Sequence, residues 1–165
     1  MGHMLSGNIL PPRDDSCLAR SGCMALEMFD SLRFNRWINA DYWVIMLGVN
    51  SHYSWLEEDY CRRIMDTTHY RNPDGETYFL NGLPLPDSVP LGMPTRVQLT
   101  GFNTWLDAMA DVRRNAGWKL YVVNACSTMS VDTVSNDTLF YDCLHPNQLG
   151  YDRLSQAIWA KMLSH

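Results

Sequence analysis

Asp142-Cys143-Leu144-His145-Pro146-Asn147-Gln148-Leu149-Gly150-Tyr151 is the stretch around which this chain is organised. An Asp stands three residues before a His, Pro146 breaks the backbone, and an apolar-periodic segment follows. In a turn, an Asp at that spacing can accept a hydrogen bond from the imidazole Nδ1–H. That bond fixes the tautomer and leaves Nε2 to take a proton from a hydroxyl. Asn147 suits the N-cap of the next helix. Leu154, Ala157, Ile158, Lys161 and Met162 recur at helical spacing, which predicts a helix lying on a core and holding the turn rigid. The competing reading is an ordinary helix-entry turn with a surface His.

The chain has 165 residues, which is one domain by length and enough to bury a core. Apolar content of 46% and charged content of 19% are globular values. A net charge of -5 leaves no basic footprint for nucleic acid. No run of apolar residues reaches the roughly eighteen needed to span a membrane. Met1-Gly2-His3-Met4 reads as a tag remnant, and residues 1–16, with Pro11-Pro12, as an irregular lead-in. The five cysteines are Cys17, Cys23, Cys61, Cys126 and Cys143. Their odd number and the lack of a C-x-x-C pair predict buried thiols, no disulfide and a reducing compartment. No clustered Cys and His ligands suggest a metal.

Outward from the His turn, strands and helices alternate. Residues 17–21 suit a short strand ending at Gly22. Residues 24–37 suit a helix, and 41–47 a strand buried on both faces and closed by Gly48. Residues 53–66 form an amphipathic pattern, 72–75 a turn, and 77–80 a strand. Residues 81–97 carry four prolines, Pro84, Pro86, Pro90 and Pro94, and read as a long loop. A helix from Thr100 is closed by Gly117, a strand covers 119–124, and 126–141 are irregular. The alternation predicts an α/β fold with a parallel sheet and helices on both faces.

Ligands of open parallel sheets bind beyond the carboxyl ends of the strands. Gly22 and Gly48-Val49-Asn50 fall at such ends. A glycine N–H and an asparagine amide can both donate to a developing oxyanion, although Gly and Asn are also ordinary turn residues. His52 and Tyr53 follow Asn50 and could line a cleft. Trp43, Trp105, Trp118 and Trp159 suit core and helix-face packing rather than a sugar platform. Cys143 beside His145 invites a nucleophile reading, but the turn geometry accounts better for the His.

With these pieces in place, the chain resembles the SGNH (GDSL-type) hydrolases over roughly residues 17–163. D-x-x-H-P-N-x-x-G-Y looks like the family's last block, which supplies the Asp and His of a Ser-His-Asp triad. Arg20-Ser21-Gly22 looks like the block with the oxyanion glycine. Gly48-Val49-Asn50-Ser51 looks like the G-x-N-D block, with Ser51 where Asp is usual. The resemblance implies a three-layer α/β/α flavodoxin-like sandwich. It also implies an ester hydrolase acting on an O-acyl or O-acetyl group, on a carbohydrate by family analogy. His145 would be general base and acid, Asp142 would orient it, Gly22 and Asn50 would hold the oxyanion, and no cofactor is implied.

The family's opening strand, ending in G-D-S, has no counterpart. Asp15-Ser16 is the nearest text, but Asp14 stands where Gly belongs. Ser16 is too close to Gly22 for the crossover that a parallel pair needs. Ser6 fails similarly, and Ser127 and Ser130 lie too near the His turn. Three explanations stay open. The chain is the C-terminal part of a larger unit, with the serine upstream or on a partner chain. Or it is a non-catalytic binding or assembly module on a degenerate scaffold. Or an unrecognised segment supplies the nucleophile.

Overall fold

The computed structural model describes residues 24–47, 55–82, 95–129, 139–141 and 145–165, the side chains of 55–57, 96, 126 and 127 excepted. The elements run α1 (Ala25–Phe34), β1 (Tyr42–Met46), α2 (Trp55–Arg71), β2 (Glu76–Leu80), α3 (Arg96–Asn115) and β3 (Leu120–Val123). A four-residue turn α4 (Ala125–Thr128) and α5 (Gln148–Met162) complete them. The strands pair in parallel in the order β1-β2-β3, with Val44 opposite Tyr78 and Tyr78 opposite Tyr121.

Alternation along the strands divides the core in two. Trp43, Ile45, Leu47, Phe79 and Leu120 face one side, where they meet Leu32 of α1, Cys61, Ile64 and Met65 of α2, and Phe102, Leu106 and Ala110 of α3. Tyr78, Leu80 and Val123 face the other side and meet Leu154 and Ile158 of α5, with Val44, Met46 and Tyr121 partly buried beside them. The result is the α/β/α sandwich expected from the sequence. On the side carrying α5, β1 is only half covered: Tyr42 is 43% exposed. The sequence had suggested burial on both faces for this strand.

Several boundaries differ from expectation for identifiable reasons. α1 ends at Phe34, where Asn35 caps it by donating from its backbone and side chain to the Ser31 carbonyl. α2 runs on to Arg71 because tertiary bonds reward the extra turn. The buried Thr68 hydroxyl donates to the Met65 carbonyl and accepts from Thr77 Oγ1. The Arg71 guanidinium donates to the carbonyls of Leu32, Asn35 and Ile38. α3 starts before Thr100: Thr95 and Gln98 form a reciprocal capping box, each side chain accepting from the other's backbone N–H. Within the stretch read as irregular, residues 125–128 form a helical turn.

The far end of α3 is as expected. Trp118 N–H donates to the Arg113 carbonyl and Gly117 N–H to that of Arg114, the Schellman pattern, with Gly117 at φ +86°. A Cβ at Gly117 would meet nothing within 4 Å, so Gly117→Ala isolates the backbone cost. We expect a loss of about 1 kcal/mol in urea unfolding. An unchanged midpoint would show that the helix end relaxes out of the left-handed conformation.

Candidate functional site

Asp142, Gly22, Asn50 and Ser16 lie outside the described residues, as do Cys143, His52 and Tyr53 and the expected strand over 17–21; His145 is described. His145 sits on a short antiparallel hairpin. Tyr141 N–H donates to the His145 carbonyl and Asn147 N–H to the Leu139 carbonyl, each at 2.8 Å, and Phe140 bridges Pro146. Phe140 and Pro146 turn inward and are buried, while Tyr141 and His145 are exposed.

Three features make this hairpin rigid. Asn147 caps α5, its Oδ1 accepting from Gly150 N–H at 3.1 Å. Leu139 and Phe140 pack with Ala125 and Met129, which follow the carboxyl end of β3. Gly150 admits the hairpin at very close range, since a Cβ there would lie 2.3 Å from the Leu139 carbonyl oxygen. His145 is therefore tied to the segment leaving the carboxyl end of the sheet, where ligands of such folds bind.

That edge also holds polar groups the sequence reading passed over. Asn81, buried just past β2, donates from its backbone to the Val123 carbonyl and from Nδ2 to Asn124 Oδ1 at 3.1 Å. Asn103 of α3 clamps Gly82, accepting from its N–H at 2.7 Å and donating to its carbonyl at 3.3 Å. The signal was present as an Asn directly after each of β2 and β3, hidden because Asn is common in turns.

The opposite end of the sheet is packed with aromatic rings. His69 stacks on Trp118 at 3.9 Å, and the Arg113 guanidinium lies over the same ring while pairing with Asp66 at 2.7 Å. His165 stacks on Tyr121 at 3.6 Å, and burial pushes its pKa down, with Lys161 adding to the effect. Burial raises the pKa of Tyr78, whose hydroxyl donates to Glu76. These groups join helix ends to strand starts and stand apart from His145. Trp43 is buried and Trp105 packs on Phe102, as expected. Trp159 is 52% exposed: Leu154 and Ile158 occupy the buried face of α5, and the next residue turns outward.

Asp30-Ser31-Leu32 repeats part of a GDSL string, but Ser31 is buried within α1, which packs on the sheet face opposite α5. Among the described residues no group of His, Cys, Asp and Glu could hold a metal ion, and no helix is long and apolar enough to cross a membrane. Cys61 is a buried thiol.

No protein-family model and no curated sequence matches the chain. Solved structures do. A carbohydrate esterase family 3 protein from Talaromyces cellulolyticus superposes with a TM-score of 0.66 at 18% identity, over 86% of this chain and 67% of that one. A family 3 carbohydrate esterase from Clostridium thermocellum gives 0.63 at 16%, over 87% and 70%. A GDSL-like lipase from Bacteroides thetaiotaomicron gives 0.64 at 18%, over 86% and 72%. At these identities the likeness establishes the fold: the chain has the architecture of SGNH-like esterases.

Proposed function

We propose that this chain is the acid–base and scaffold part of an ester hydrolase acting on O-acyl or O-acetyl groups of a carbohydrate. The observation that carries the reading is the anchored hairpin, which holds an exposed His145 beside the segment leaving the carboxyl end of β3. The fold neighbours, two carbohydrate esterases and a GDSL-like lipase, support the same reaction class. In this reading His145 takes the proton from a serine hydroxyl and returns it to the leaving alcohol. Asp142 orients His145, and Gly22 and Asn50 donate to the oxyanion. The serine comes from outside the recognisable sequence, from an N-terminal segment or a partner chain.

The test is acetate release from an acetylated xylo-oligosaccharide by the product of the complete coding region, with and without a fluorophosphonate. We expect release, and its loss once the serine is phosphonylated. No release from the untreated protein would overturn the hydrolase reading. One observation favours a second reading, a non-catalytic binding or assembly module: no G-D-S string occurs anywhere in the chain. That reading predicts saccharide binding without acetate release.

A further inference from the structure

The His145 hairpin presents a second side chain. Phe140 and Pro146 are bridged, so Tyr141 and His145 are the next opposed pair. Side chains alternate along each arm, which sends Tyr141 and His145 to the same face, away from the core. Burial agrees at the bridge: Phe140 is 5% exposed and Pro146 is buried, whereas Tyr141 is 77% exposed and His145 is exposed. Directly opposed residues on one face of an antiparallel pair have Cβ atoms about 5 Å apart. Tyr141 therefore leaves the same face of the hairpin as His145, its backbone held by the same two bonds.

A large ring left in water beside a proton-transfer group needs a reason, because neither core packing nor a ring contact with a described residue accounts for it. We propose that Tyr141 is a substrate-positioning residue, stacking on the apolar C–H face of a sugar ring whose ester oxygen is directed at His145. This deepens the carbohydrate-ester reading above and rests on it. The chemistry favours a sugar over a long acyl chain. A tyrosine offers a flat apolar face with a polar tip, which suits a ring with C–H faces and hydroxyl edges. The first turn of α5 that follows mixes polar and apolar groups, with Gln148 Nε2 donating to Asp152 Oδ1 at 2.9 Å and a second tyrosine, Tyr151, at 36% exposure. Leu149 is the one exposed aliphatic side chain in that turn, too little aliphatic surface for a long chain.

The test compares Tyr141→Ala and Tyr141→Trp with the parent protein expressed from its complete coding region. Three esters are assayed: p-nitrophenyl acetate, p-nitrophenyl octanoate and an acetylated xylo-oligosaccharide. Binding of the deacetylated oligosaccharide is followed by saturation-transfer NMR. We expect Tyr141→Ala to raise KM for the oligosaccharide about tenfold or more and to weaken its binding equally, as loss of an aromatic anchor does. Hydrolysis of p-nitrophenyl acetate should fall far less than that of the oligosaccharide, and Tyr141→Trp should restore the saccharide KM. An equal loss on all three esters would make Tyr141 merely structural and overturn the proposal. So would a loss confined to the octanoate, which would place the acyl chain on the ring. Binding that depends on Tyr141 without any ester cleavage would support the proposal while sinking the hydrolase reading. Absence of both cleavage and binding would sink both.

Discussion

If the proposed triad is right, replacing His145 by alanine in the protein supplied with its serine is expected to lower kcat for p-nitrophenyl acetate by about four to six powers of ten. The 165-residue chain alone is expected to hydrolyse the same ester slowly, with Ser16→Ala leaving that slow rate unchanged. A general base without a nucleophile activates only water, so the isolated chain keeps whatever binding and oxyanion stabilisation supply, a small part of triad catalysis. Once a serine is present, its proton must leave as the tetrahedral intermediate forms, and the alcohol must be protonated as it departs. One imidazole serves both steps, and its removal costs about as much as removing the whole triad. His145 is exposed, so His145→Ala should leave the urea midpoint nearly unmoved and a lost rate would not report unfolding. The rates of both variants, measured beside their parents, decide the matter. A vigorous rate in the 165-residue chain that Ser16→Ala destroys would show that the Asp15-Ser16 turn is a displaced first block. A complemented enzyme indifferent to His145→Ala would end the triad reading.

Much of the fold was legible because it rests on local pattern. The run Tyr42 to Leu47 suited a strand, although one face proved only half covered, and the 3.6-residue spacing marked the four long helices among the described residues. Gly117 as a helix stop and Asn147 as a cap were also readable, since each acts within its own turn. What escaped depended on distant partners. Nothing local to Thr67–Arg71 announces that the helix continues. Its last turn is stabilised by carbonyls at 32–38 and by Thr77, far away in sequence. The Thr95-x-x-Gln98 box was in view, but the prolines before it pulled the expected loop past the true start. At the candidate site, the His-bearing string was legible because its spacing carries chemistry. The Asn81–Asn124 pair was not, because two asparagines forty-three residues apart signal nothing until β2 and β3 are side by side. Tyr141 was overlooked for the same reason: only the Phe140–Pro146 bridge places it opposite His145.

Gly150→Ala is expected to destabilise the protein by about 2–3 kcal/mol, although it puts a better helix former into α5. The helix interior alone would gain up to about 1 kcal/mol from the change. Against that stands the space available. The new Cβ would lie 2.3 Å from the Leu139 carbonyl oxygen, 2.9 Å from Pro146 Cβ and 3.0 Å from Met129 Cε. The methionine can swing away, but the oxygen cannot move freely, because it accepts Asn147 N–H at 2.8 Å and fixes one arm of the hairpin. Either that bond is given up in a buried setting, or the hairpin lifts from α5 and uncovers Phe140, which is only 5% exposed. Both routes cost more than the helix gains, and both move His145. The prediction therefore has two readouts. Thermal unfolding should shift down by about 5–10 °C for a chain of this length, and the NMR shifts of Tyr141, His145 and Asn147 should change while those of β1 and α2 stay in place. Gly117→Ala is the comparison, since it carries a backbone cost with no steric contact. If Gly150→Ala proves as stable as its parent, the hairpin does not approach α5 so closely. The rigid placement of His145, on which the hydrolase reading leans, would then lose its support.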